Sequence, residues 1–126
     1  MFRWWPFKHD RGPDRSLPEI ANLLERDLVV LFKHSSTCAV SWAAHANVKR
    51  FQDQNPQVPV YVVAVQKDRA ASQQIAQRLN IRHESPQLIV LRRGVVASVA
   101  SHGAITEDYL RGALAQDSPI PGPAAR

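Results

Sequence analysis

Residues 28–32 form a continuous apolar run, Leu-Val-Val-Leu-Phe, which constrains the fold more than any other segment. Successive side chains of a strand point to opposite faces, so a strand without polar alternation has to be covered on both sides. A chain of 126 residues has room for one domain with one core. The sequence therefore predicts a single α/β domain with helices on both faces of a sheet.

Three segments around this strand carry apolar residues at the spacing of an amphipathic helix: residues 17–26, residues 39–53 and a third segment that begins at Asp68. The predicted inward-facing positions are Ile20, Leu23 and Leu24, then Val40, Ala44, Val48 and Phe51, then Ala71, Ile75 and Leu79. Residues 58–65 are rich in β-branched and aromatic residues and predict a second strand. Because one helix joins the two strands, we expect them to be parallel.

The C-terminal part of the domain predicts a hairpin and a helix. Residues 88–91 and 95–99 are two short strands, and Gly94 between them can adopt the positive φ of a tight turn. Thr106 is the expected N-cap of the last helix. The order α-β-α-β-α-β-β-α fits a four-stranded mixed sheet. This is the thioredoxin architecture, although the same order of elements can also be wound in other ways.

The composition indicates the limits of this domain, the compartment in which it works and the kinds of partner it can bind. We assign residues 17–116 to it, residues 1–16 to an aromatic and basic tail, and residues 117–126 to a proline-rich tail. No apolar run approaches the about 20 residues that span a membrane, and the start lacks the apolar stretch of a secretory signal. Acidic residues are interspersed with the basic ones behind the net charge of +5, which favours a solvated surface over nucleic-acid binding. We expect a cytoplasmic monomer.

Cys38 is the only cysteine, and it follows the polar residues 33–37 where the first strand leads into the second helix. Unpaired backbone N–H groups and the positive end of the helix dipole stabilise a thiolate there, and the thiolate is the nucleophile of thiol chemistry. A lone cysteine is otherwise usually a small buried apolar residue. The polar loop favours the accessible thiol, and we expect Lys33 or His34 to add positive charge beside the sulfur.

Ser41 stands three residues after Cys38, where dithiol enzymes place their second cysteine. Its hydroxyl can donate a hydrogen bond to a thiolate but cannot form a disulfide, and a solvent-facing serine is an equal alternative.

Four histidines are candidate zinc ligands together with the cysteine: His34, His45, His83 and His102. No pair has the short, repeated spacing of a zinc finger, so we expect no metal site. His45 lies seven residues along the helix from Cys38, and we interpret it as a surface residue.

Three separated segments carry a family resemblance: residues 32–41 (FKHSSTCAVS), residues 82–87 (RHESPQ), and residues 100–102 (ASH) ahead of the helix at Thr106. Together they resemble the monothiol bacilliredoxin family of thioredoxin-like proteins over roughly residues 17–115. One position departs, because Ala39 stands where the family usually has proline after the cysteine. Alanine retains a backbone N–H near the sulfur that proline lacks.

The resemblance implies that Cys38 removes bacillithiol, a low-molecular-weight thiol, from mixed disulfides on client proteins. Bacillithiol is then a co-substrate, and no cofactor is bound. Thr37, Ala39 and Ser41 are expected to surround the thiolate together with Lys33 and His34.

The resemblance also implies a substrate-binding region around Pro86. This residue is expected to be a cis-proline facing Cys38, and Ser85 is expected to offer backbone groups to an extended substrate. His102 is placed in the same region.

Two other functions remain open at this point. The domain is alternatively a non-catalytic adaptor that binds extended peptides beside Pro86, with Cys38 merely exposed. A glutaredoxin-type iron–sulfur carrier is less favoured, because residues 39–41 lack the Gly-Phe that carriers usually have after the cysteine.

Overall fold

The computed structural model describes residues 17–115, which form a four-stranded sheet with helices on both faces. In chain order the elements are α1 (Ile20–Leu23), β1 (Leu28–His34), α2 (Ala39–Gln54), β2 (Val60–Ala64), α3 (Arg69–Leu79), β3 (Gln87–Arg92), β4 (Val95–Ser101), a 3₁₀ turn (His102–Ala104) and α4 (Glu107–Leu114). The predicted fold and order of elements are confirmed. The predicted tails, and residue 116 of the predicted domain, lie outside the described residues.

The sheet has the order β2-β1-β3-β4, so the apolar strand β1 is central. As predicted, β1 and β2 are parallel, and the hairpin strands add antiparallel to β1. Val30 and Phe32 pack in one core cluster with α2 and α4. Val29 and Leu31 pack in a second cluster with α1 and α3. Both faces of β1 are buried, which explains its lack of polar alternation.

The strand register brings four chain segments to one edge of the sheet. His34 at the end of β1 pairs with Ala64 at the end of β2. Gln87 at the start of β3 pairs with Lys33 and also with Ser101, the last residue of β4. Consequently the segments that follow β1, β2 and β4 and the segment that precedes β3 all meet at this edge.

Two predictions about single positions are confirmed, one for a glycine in a turn and one for a helix N-cap. Gly94 has φ 79°, and a Cβ there would lie 2.6 Å from the carbonyl oxygen of Leu24, so the β3–β4 turn requires glycine. The Thr106 side chain accepts a hydrogen bond from the Tyr109 N–H at the start of α4.

Two details of the helices differ from the predictions. α1 is a single turn rather than a helix over residues 17–26, because only Ile20 and Leu23 in it are buried before the chain turns into β1. Val40 is 46% exposed instead of buried, because the buried stripe of α2 begins one residue later, at Ser41, and continues through Ala44. In residues 17–115, no helix combines the length and the apolar character needed to cross a membrane.

Candidate functional site

Cys38 lies at the sheet edge as the N-cap residue of α2, with extended backbone angles (φ −120°, ψ 124°). Cys38 is half-buried. Its carbonyl accepts the first hydrogen bond of the helix from the Trp42 N–H at 3.2 Å. The next three backbone N–H groups have no partner within the helix, because the first turn of any α-helix leaves them free. The sulfur therefore stands at the positive end of a four-turn helix.

The loop that carries Cys38 is held by a residue that the sequence did not single out. Gln66 Nε2 donates to Ser35 Oγ at 2.9 Å and to Thr37 Oγ1 at 3.1 Å, while Gln66 Oε1 accepts from the Ser36 N–H at 3.3 Å. On the other side, the Trp42 indole N–H donates to the Ser36 carbonyl at 2.9 Å. A polar residue just after the parallel neighbour of β1 was the available signal for Gln66.

Ser41 is fully buried, which excludes the alternative of a solvent-facing serine. Its hydroxyl accepts a hydrogen bond from the Ser35 N–H at 2.9 Å and lies 2.8 Å from His34 Nδ1. In the described part of the chain these two groups, rather than the sulfur of Cys38, are its partners. Ser41 thus ties α2 to the end of β1 at the base of the cysteine loop.

His34 is buried in an aromatic cluster on the α2 face of the sheet. Its ring centroid lies 4.3 Å from that of Trp42, 4.8 Å from that of His45 and 5.7 Å from that of Phe32. Burial, assisted by the charge of His45, lowers the pKa of His34 to about 4 against the weaker effect of its bond to Ser41. The imidazole is therefore neutral at pH 7, and the prediction that it brings positive charge to the thiol is wrong.

His45 is half-buried in the same cluster, which corrects its interpretation as a surface residue. It lies two turns into α2, where its ring contacts the rings of Phe32 and Trp42. Burial lowers its pKa from the ordinary value, as does the charge of Lys49.

Lys33 is fully buried on the opposite face of the sheet from His34, because the two residues are consecutive in β1. Its Nζ donates to the Ser72 carbonyl in α3 at 3.0 Å and lies 3.1 Å from His83 Nδ1. Burial lowers the pKa of Lys33 to about 8. The prediction that its charge acts beside Cys38 is wrong, because the ammonium group is bound on the α3 face.

Pro86 lies directly before β3, at the same sheet edge as the cysteine loop, and the Ser85–Pro86 peptide bond is cis. The Pro86 carbonyl accepts from the His102 N–H at 3.0 Å. His102 has φ 55°, and its Nδ1 lies 3.8 Å from Glu84 Oε1. Ser85 Oγ is buried and has no hydrogen-bond partner among residues 17–115.

The four histidines considered as zinc ligands are divided between separate parts of this edge. His34 and His45 lie on the α2 face, His83 contacts Lys33 on the α3 face, and His102 follows β4. Within the described range, no group of three or more His, Cys, Asp or Glu side chains is arranged to hold a metal ion.

The sequence matches the family model described as Monothiol bacilliredoxin BrxC over residues 14–110. A solved structure described as a candidate oxidoreductase with a thioredoxin fold is 30% identical, with a TM-score of 0.72 over 79% of this chain and 88% of that chain. Desulfothioredoxin from Desulfovibrio vulgaris Hildenborough is 21% identical, with a TM-score of 0.62 over 79% and 89%. Thioredoxin from Fasciola hepatica is 17% identical, with a TM-score of 0.60 over 79% and 88%. The two thioredoxins show the fold alone.

Proposed function

This chain belongs to the monothiol bacilliredoxin family of thiol oxidoreductases, and we propose that Cys38 removes bacillithiol from mixed disulfides on client proteins. The observation that carries the proposal is the position of the half-buried thiol at the N-cap of α2, at the same sheet edge as Ser85 and Pro86. A nucleophile and a surface for an extended substrate therefore lie at the same edge of the sheet.

The first step is attack of the Cys38 thiolate on the bacillithiol sulfur of the mixed disulfide. A new S–S bond forms between Cys38 and bacillithiol as the old one breaks, and the client leaves as a thiolate that takes a proton from water. No net oxidation occurs, because one disulfide replaces another. The helix amides after Cys38 favour the attacking thiolate. Ala39 contributes one of these N–H groups, which proline would lack.

The client segment is bound beside Pro86. In the cis conformation this residue begins β3, and the His102 N–H fixes its carbonyl. The backbone of Ser85 is the surface on which an extended segment can add in the manner of a strand. The Ser85 hydroxyl is buried and has no hydrogen-bond partner within residues 17–115, so the proposed substrate contact at this residue is made by its backbone.

A second thiol completes the cycle, because Cys38 is the only cysteine and Ser41 occupies the place of a resolving thiol. We infer that a low-molecular-weight thiol attacks the bacillithiol sulfur of the Cys38 adduct, so that a low-molecular-weight disulfide forms and Cys38 leaves as the free thiolate. Bacillithiol is thus a co-substrate, the protein needs no bound cofactor, and a reducing cytoplasm is the compartment that suits this chemistry.

The experiment is a client peptide carrying bacillithiol in a mixed disulfide, incubated with wild-type protein, Cys38→Ser and Ser36→Ala. We expect the wild type and the control Ser36→Ala, whose residue is exposed, to release the client thiol at equal rates. Cys38→Ser should give only the uncatalysed rate, because a neutral hydroxyl cannot replace the thiolate. Peptide binding without release by the wild type would favour the adaptor function and contradict the proposal.

A further inference from the structure

A pocket of about 270 Å³ opens beside the N-terminal half of α3. It is lined by Val65, Gln66, Arg69, Ser72, Gln73 and His83. Among these lining residues, all within the described range, none is acidic. Their polar groups are amides, a hydroxyl, an imidazole and a guanidinium, so the walls are rich in hydrogen-bond donors.

Lys33 determines which nitrogen of His83 faces this pocket as a donor. An ammonium group can only donate, so His83 Nδ1, 3.1 Å from Lys33 Nζ, has to be the acceptor. In the neutral ring the proton then resides on Nε2, on the side of the ring away from Lys33. Burial and the charge of Lys33 lower the pKa of His83, which supports the neutral ring. His83 thus presents an N–H to its exposed side.

The charges around the pocket favour an anion. Lys33 lies fully buried behind Ser72 and His83, and Arg69 carries its guanidinium on the exposed rim. The carboxylate that acts on His83 is that of Glu84, which lies 3.8 Å from the His102 ring. The pocket therefore has two cationic side chains and an N–H donor at or behind its wall, and no acidic residue in its lining. This combination suits a carboxylate.

Gln66 joins this pocket to the cysteine loop. The same side chain that lines the pocket holds residues 35–37 through three hydrogen bonds, and Cys38 is the next residue. Gln66 is therefore shared between the pocket wall and the cysteine loop. The volume suits one end of a small molecule better than a folded client.

We propose that this pocket receives a carboxylate of the low-molecular-weight thiol whose sulfur exchanges at Cys38. The inference rests on the proposed function and adds the residues of this chain that recognise the co-substrate. Arg69 and His83 Nε2 bind the carboxylate, and Lys33 supplies the field behind them. The S–S bond between Cys38 and this thiol is the one that forms in the first step of the cycle, when the Cys38 thiolate attacks the mixed disulfide and the client leaves as a thiolate.

The test compares an acidic thiol with its neutral ester on the same adduct. Cys38 is first converted to its 2-thiopyridyl mixed disulfide, and the release of pyridine-2-thione is followed with glutathione and with glutathione diethyl ester. Each rate constant is divided by that of the same thiol with a small pyridyl disulfide, which removes intrinsic reactivity. We expect the corrected acid-to-ester ratio to be about ten in the wild type, because the ester lacks the carboxylate and therefore loses one charge-assisted hydrogen bond.

Arg69→Gln should lower this ratio to below about three, whereas Arg78→Gln, at the other end of α3, should leave it unchanged. S-methylglutathione, which cannot exchange, should shift the backbone amide signals of Gln66 and Gln73 in the wild type. A corrected ratio near one in the wild type, or the same ratio in both variants, would overturn the pocket while the exchange reaction stands. An adduct that no thiol clears would instead contradict the proposed function.

Discussion

Lys33 and His34 are consecutive residues of one strand, and each buries a basic group on a different face of the sheet. His34 faces α2, where its Nδ1 lies against Ser41, and Lys33 faces α3, where its ammonium group contacts Ser72 and His83. Burial lowers both pKa values, to about 4 for His34 and about 8 for Lys33.

The difference between the two residues is the charge that each keeps at pH 7. Imidazole can give up its proton at little cost, so the α2 face beside the thiol stays neutral. An amine with a pKa of about 8 remains mostly protonated and has to find acceptors, which the α3 face provides. The buried positive charge of Lys33 therefore lies on the opposite face of the sheet from α2, and the proposed function has to rely on the helix amides rather than on this charge to stabilise the thiolate.

The largest expected effect is a pair of pH-dependent changes in the free energy of unfolding. Between pH 4 and 6.5 the unfolded chain protonates His34 while the folded protein does not, so stability rises with pH by up to about 3 kcal/mol. Between pH 8 and 10.5 the unfolded chain keeps the Lys33 proton that the folded protein has lost. Stability therefore rises again over that window, by a similar amount.

Two variants separate these windows in urea unfolding at a series of pH values. His34→Phe preserves ring packing and should flatten only the acid window, although His45 contributes in the same direction because its pKa is also lowered. Lys33→Met should flatten only the alkaline window. If either variant leaves its own window unchanged, the corresponding group is not the one that titrates.

A smaller loss of stability is expected from Ser41→Ala, about 2 kcal/mol. The substitution leaves the buried N–H of Ser35 without its acceptor and removes the partner of His34. Exchange at Cys38 should slow but continue, because the nucleophile remains. Ser36→Ala, on the exposed part of the same loop, should change neither quantity, and equal effects of the two substitutions would contradict the role of Ser41.

At pH 7, Lys33→Met should change the free energy of unfolding by no more than about 1 kcal/mol. The variant loses two hydrogen bonds but also removes the cost of burying an ammonium group. The two groups that lose Lys33 can be satisfied without it, because the Ser72 carbonyl lies inside α3 and the exposed His83 can bind water. The corrected acid-to-ester ratio should nevertheless fall. A loss of several kcal/mol would mean that the buried charge is a net contributor to stability.

The smallest effect is expected from Gln66→Leu, about 0.5 kcal/mol of stability for bonds made largely at the surface. The exchange rate should fall several-fold, because the loop that carries Cys38 loses its anchor after β2. The rate is measured on the thiopyridyl adduct with a neutral thiol, so that pocket binding does not contribute. An unchanged rate would show that Trp42 and Ser41 suffice to hold the loop.

The fold was predictable because its signals are local and mutually consistent. The unbroken apolar run of β1 required cover on both faces, Gly94 marked the hairpin, and Thr106 marked a helix start. The position of Cys38 followed from the same pattern. Each of these inferences used only neighbours in the chain.

The surroundings of Cys38 were less predictable, because they depend on the face of the sheet and on distant residues. The polar run in residues 33–37 suggested charges beside the sulfur, yet strand alternation directs Lys33 away and burial neutralises His34. Gln66 and Trp42 hold the loop through bonds that no local motif encodes. His45 follows the helical spacing of a surface position but is covered by rings from β1 and α2.

The most direct test of the account is intact-protein mass spectrometry of the wild type during turnover of a bacillithiolated client. Because Cys38 has no resolving partner in the chain, we predict that the protein gains the mass of one bacillithiol as the client thiol appears. Added bacillithiol should then remove that mass, and Cys38→Ser should never acquire it. Release of the client thiol without any adduct on Cys38, or with the adduct on another residue, would contradict the central claim.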